Sequence, residues 1–144
     1  MPLFVACVMT GNVTSASAAE GLVARFKQAQ RQCNLLIVRK AYNEAAASCE
    51  AEAVGFERFS HDRQVTYETS GSLLIASAFS YGVQSYALAH VGNIIKSKSA
   101  FTMGQATLRA VITMHGCRTC TQRASAALRQ YGAWPITEEN LFIQ

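Results

Sequence analysis

The densest group of potential ligands in the chain is His115-Gly116-Cys117-Arg118-Thr119-Cys120. A Cys-x-x-Cys spacing lets two thiolates reach one ion, or close on each other as a disulfide. Tetrahedral zinc needs four donors, and His115, Cys117 and Cys120 supply three, so Cys33, Cys49, His61 or His90 would have to complete the set from another element. A metal at His115/Cys117/Cys120 is the alternative reading. The simpler expectation is no metal, with a histidine and small apolar thiols near a helix kink. Five cysteines is an odd number, so no complete disulfide framework is implied for a monomer.

His61 and His90 form the second candidate pair. They stand 29 residues apart, with Val65 four residues after the first and Phe101 eleven after the second. This pattern resembles the distal histidine, distal valine and proximal histidine of the globins, which are of similar length. The resemblance implies a heme iron held between His61 and His90. It covers four residues, and Ala46 and Lys40 occupy the candidate positions for the globin phenylalanine. One continuous helix over 62–97 would also hold the two histidines about 43 Å apart. Heme through His61/His90 is therefore kept as the alternative, and no cofactor is expected. Nor is catalysis: there is no Gly-x-Ser-x-Gly, no Gly-rich phosphate loop before a helix and no His-Glu-x-x-His.

The elements that must position these residues read as helices. The prolines are Pro2 and Pro135, and 23 of 144 residues are alanine, the best helix former. Apolar or small residues recur in steps of three and four from Leu22 through Phe26, Cys33, Ile37, Ala45, Cys49 and Phe56, with Arg25, Lys27, Arg31, Arg39, Lys40, Glu44 and Glu50 opposite. The expectation is an all-α fold of about three long helices, near 19–55, 62–97 and 99–131, packed as a bundle or as helical hairpins. Gly55 and the polar run after it suggest the first turn, with Ser60 or Asp62 capping the next helix. A single helix over 19–55 would set Cys33 and Cys49 about 24 Å apart, so they could not both bridge to the Cys117/Cys120 pair.

Charge is scarce: charged residues are 15% of the chain against roughly 25% in an ordinary soluble domain. Mean hydropathy is +0.11. The net charge of +4 falls short of a nucleic-acid-binding footprint. Between Glu68 and Lys96 lie 27 uncharged residues, about 40 Å of helix, which is long enough to cross a bilayer. Ser70, Ser72, Ser77, Ser80, Gln84, Ser85, His90 and Asn93 weigh against lipid unless each faces another helix. Residues 69–95 are expected to be buried around most of the helix, in a bundle, a complex or a membrane.

Residues 1–18 read as an apolar N-terminal arm, or a weak signal-like segment ending in Ala16-Ser17-Ala18, residues 19–134 as one helical domain, and 135–144 as a C-terminal tail. The functional expectation is a small, alanine-rich, non-catalytic accessory or assembly subunit of a larger membrane-associated complex. Its partners would be other protein subunits and lipid, with no nucleic acid.

Overall fold

The computed structural model describes residue 21 and residues 24–141. The N-terminal arm at 1–18 lies outside the described residues. The fold is all-helical and bundle-like, with five helices where the sequence suggests three. They are α1 (24–38), α2 (Tyr42–Ser60), α3 (Tyr67–His90), α4 (Ile94–Ile112) and α5 (Arg118–Tyr131), followed by a 3-10 turn at Glu138–Asn140.

Each expected long helix is broken once, and each break has a local cause. The 19–55 helix turns at 39–41, where Lys40 adopts a left-handed backbone with φ 61°. Ala41 N–H donates to Leu36 O at 2.8 Å and Lys40 N–H to Ile37 O at 2.9 Å, the paired bonds that close a helix C-terminus. The 62–97 helix stops in the same way. Gly92 has φ 80°, Asn93 N–H reaches Leu88 O at 2.9 Å, and the Asn93 side chain then caps α4 through Lys96 N–H. Gly116, at φ 96°, opens the turn between α4 and α5. Gly55 does not end a helix, since α2 runs on to Ser60, and Thr66 rather than Ser60 or Asp62 caps α3 by accepting Thr69 N–H at 3.1 Å.

The turn at 39–41 corrects the separation expected for Cys33 and Cys49. Their Cα atoms are 5.4 Å apart and they are joined by a disulfide that clamps α1 against α2. Neither reaches the other cysteine pair, although the expected reason, a rigid helix between them, does not hold. Aromatic packing continues the clamp, with Phe26 at 4.7 Å from Phe56 and 5.9 Å from Phe59, ring centre to ring centre.

Helix α3 is the centre of the molecule, with fifteen of its 24 residues buried. Leu74, Tyr81 and Leu88 are covered by the chain's own helices, and Ser72 is partly covered. Its serines explain how a helix of this length, with no charge after Glu68, stays inside a protein. Ser77 donates to Ala53 O of α2 at 2.7 Å. Ser85 and Ser97 exchange bonds with each other's carbonyls at 2.8 and 2.7 Å across the α3–α4 contact. Each hydroxyl faces a neighbouring helix rather than lipid, and no described helix is long and apolar enough to cross a membrane. Of the settings open to this stretch, burial among the chain's own helices is the one found, and the alternative of a membrane-embedded helix is corrected.

Helix α5 closes the bundle. Tyr131, fully buried, donates its phenol to Ala78 O and packs on Phe101, while Gly104 gives it room. Residues beyond α5 fold back, with Ile136 buried and Trp134 Nε1 donating to Ser97 Oγ at 2.9 Å.

Candidate functional site

The structure does not bring the sequence candidates together. Cys117 and Cys120 form a disulfide in the first turn of α5, with Cα atoms 5.2 Å apart, and Cys117 caps the helix by accepting Cys120 N–H. His115 lies exposed in the preceding turn. Among the described residues no three His, Cys, Asp or Glu side chains converge as metal ligands would. His61, at the end of α2, and His90, at the end of α3, are both exposed and are separated by the length of α3, about 35 Å for its 24 residues. The bend near Ser80 that a shared heme would need is absent, because α3 is continuous there. His90 instead places Nδ1 3.0 Å from Tyr86 O and stacks on Tyr42 at 4.4 Å, while Phe101 lies in the core.

Two other regions gather functional groups. The first is a cleft of about 660 Å³ between α1 and the first half of α3, within the roughly 300–1,000 Å³ of typical small-molecule sites. Phe56, Leu73, Ile75, Ala76 and Phe79 supply apolar lining, Thr69, Ser72, Gln30 and Asn34 supply polar atoms, and Lys27, Arg31 and Arg123 face a single carboxylate, Glu68. Arg123 Nη1 donates to Ser72 Oγ at 3.1 Å. Asn34 is only 8% exposed, and its Oδ1 has no hydrogen-bond partner.

The second region is the opposite end of the bundle. Helices α2 and α3 run antiparallel, since Ser70 bonds Ser60 O, Ser77 bonds Ala53 O, and Tyr42 stacks on His90. The turn at 39–41 therefore lies beside the turn at 91–93. This tip leaves Ile95 85% and Val38 66% exposed, with Val91 and Ile94 about half as much. Arg39, Lys40 and Lys96 stand exposed among them, and Lys98 lies 4.7 Å over the Trp134 ring. Glu44 follows the first turn in sequence, and Glu138 lies near Tyr86 beside the Tyr42–His90 stack.

Comparison with protein-family models, with curated proteins and with solved structures finds no match, so the functional reading rests on the chemistry of these two regions.

Between cleft and tip, the α2–α3 seam buries one further ionisable group. Glu52 is 6% exposed, with Oε2 unpartnered and Oε1 3.5 Å from Ser80 Oγ. Burial pushes its carboxyl up to about 8, against a smaller lowering by Ser80. One turn further along α3, Gln84 donates to Glu50 at 3.2 Å and leaves its own Oε1 unpaired.

The sequence reading missed both regions as sites. Lys27 and Arg31 already stand on the polar face of the first helix, but nothing in their spacing joins them to Arg123, which arrives from α5. Ile94 sits on the apolar face of an assumed 62–97 helix, and its exposure follows from the turn at Gly92.

Proposed function

We propose that this chain is a small, non-catalytic accessory subunit of a larger membrane-associated assembly, and that it docks by its tip on an anionic bilayer surface. The observation that carries the reading is the exposure of Ile95 and Val38 on one end of the bundle, beside Arg39, Lys40 and Lys96. Large apolar side chains left in water cost roughly 25 cal/mol per Å², and a basic residue near an anionic leaflet contributes about 1 kcal/mol. Tip side chains inserted at the headgroup level satisfy both terms without a spanning helix. The low charge of α3 does not itself call for a partner, because α2, α4 and α5 cover that helix. The support for association comes from the tip instead.

Vesicle co-sedimentation tests this. The chain should bind phosphatidylglycerol-containing vesicles and not purely zwitterionic ones, and Ile95→Glu should weaken binding at least tenfold. Equal recovery with both vesicle types, or no binding to either, overturns the reading.

A further inference from the structure

The cleft between α1 and α3 is independent of the tip, and its chemistry is that of a ligand site. We infer that it binds a single-chain anionic amphiphile whose polar end carries an amide, the chemistry of an N-acyl amino acid.

Three features set this specification. The apolar lining from Phe56, Leu73, Ile75 and Phe79 accepts a hydrocarbon tail. Lys27 and Arg31 from α1 and Arg123 from α5 give three cations against the one carboxylate of Glu68, and none of the three makes an ion pair among the described residues. An excess of cations over one wall selects an anionic head, and guanidinium groups suit oxyanions such as a carboxylate. The third feature is Asn34, which is more than nine-tenths buried, lines the cleft and leaves its side-chain oxygen without a partner. Buried polar groups are almost always paired, so an unmet one on a residue that lines the cleft points to a polar ligand atom there. A side-chain amide can be turned end for end, and a ligand amide, with one donor and one acceptor, meets Asn34 in either orientation.

The cleft's position fits a small molecule better than a surface. It is walled by α1, α3, Phe56 of α2 and the first half of α5, and α1 is fixed by the Cys33–Cys49 link. A bilayer cannot enter a concavity of about 660 Å³, whereas one acyl chain can.

Calorimetric titration of the full disulfide-bonded chain decides the matter, using N-lauroylglycine, its methyl ester and laurate, each below its micellar concentration. The ester keeps the tail and amide but lacks the charge, and laurate keeps the tail and charge but lacks the amide. N-lauroylglycine should bind one to one, with the ester at least tenfold weaker and laurate several-fold weaker. The double variant Arg31→Gln/Arg123→Gln should lose at least tenfold for the acid and leave the ester unchanged. Asn34→Leu should weaken N-lauroylglycine to the level of laurate and leave laurate itself unaffected. Absence of saturable binding, or equal binding of acid and ester by the unmodified chain, overturns the inference whether or not the variants fold.

Discussion

The cleft and the tip are made from the same materials, arginine and lysine set among large apolar side chains, yet they present them in opposite curvature. In the cleft, α1 and α3 line one cavity and the apolar groups form its lining, with a buried amide among them. At the tip, two helix-ending turns of the same hydrogen-bond pattern push Val38, Ile94 and Ile95 outward. Concavity selects a molecule by shape and by matched polar atoms, whereas a convex patch selects a surface by area and charge. The two regions also depend on different supports. The cleft needs the body of α1, held by a disulfide and by Phe26 on Phe56, while the tip shares with it only the end of α1 and otherwise needs the α2–α3 and α3–α4 seams, held by Tyr42 on His90 and by the Ser85–Ser97 exchange.

The largest expected effect strikes both regions together, through the seam between them. Glu52 has its folded-state value raised to about 8 from 4.5, so the folded chain holds a proton that the unfolded chain gives up. Its contribution to stability is complete below about pH 4.5 and is lost as pH rises through about 8, an effect of a few kcal/mol, about 1.36 kcal/mol per unit at most. Ser80 is its hydrogen-bond partner, and Glu50 and Glu57 on the same helix, with Tyr81 on α3, add no positive charge to offset ionisation. Denaturant melts between pH 5 and 9 should show this loss, and Glu52→Gln should flatten it. A parallel decline in the variant would assign the pH dependence elsewhere.

The next effect should separate the regions. The Cys33–Cys49 link spans 16 residues of chain, for which loop-closure entropy gives about 3 kcal/mol. The double variant Cys33→Ser/Cys49→Ser should lower stability by about that amount and release α1 from α2. Amphiphile binding in the cleft should disappear, whereas vesicle binding should weaken but persist through the Ile94–Lys96 half of the tip at a temperature where α2–α5 remain folded, as circular dichroism would report. Loss of both activities together would mean that the regions are one site.

A smaller effect sharpens the account of the tip. Lys40 holds a left-handed conformation that costs an L residue roughly 1 kcal/mol and that glycine adopts freely. Lys40→Gly should therefore raise the melting temperature by a few degrees and, by removing one cation, weaken attachment to anionic vesicles by several-fold. Cleft binding should not change.

These three positions also show what was legible in the sequence. The all-helical class follows from the alanine content, the scarcity of prolines and the three-and-four spacing, and the burial of α3 follows from the uncharged run at 69–95, which covers all of that helix after Glu68. The break at Lys40 was not legible, because Arg39-Lys40-Ala41 contains no residue that favours a left-handed turn, and helical spacing continues across it. That one missed turn hid the Cys33–Cys49 disulfide and half of the tip. Gly92 carries the usual helix-ending signal, yet neighbouring apolar residues kept the helical rhythm and masked it, whereas the break near Gly116 was legible as a kink beside the His115–Cys120 cluster. The cleft was illegible for a different reason. Arg31, Asn34, Ser72 and Arg123 come from three helices, and only tertiary packing brings them to one wall.

Hydrogen exchange of the intact chain, measured with anionic vesicles and separately with N-lauroylglycine, tests most directly whether the molecule has two distinct binding regions. The account predicts that vesicles slow exchange at 38–41 and 91–98 and leave 68–79 unchanged, while N-lauroylglycine slows exchange over 27–34 and 68–79 and leaves the two turns unchanged. Protection of the same segments by both additions, or vesicle protection confined to α1 and the start of α3, would contradict it.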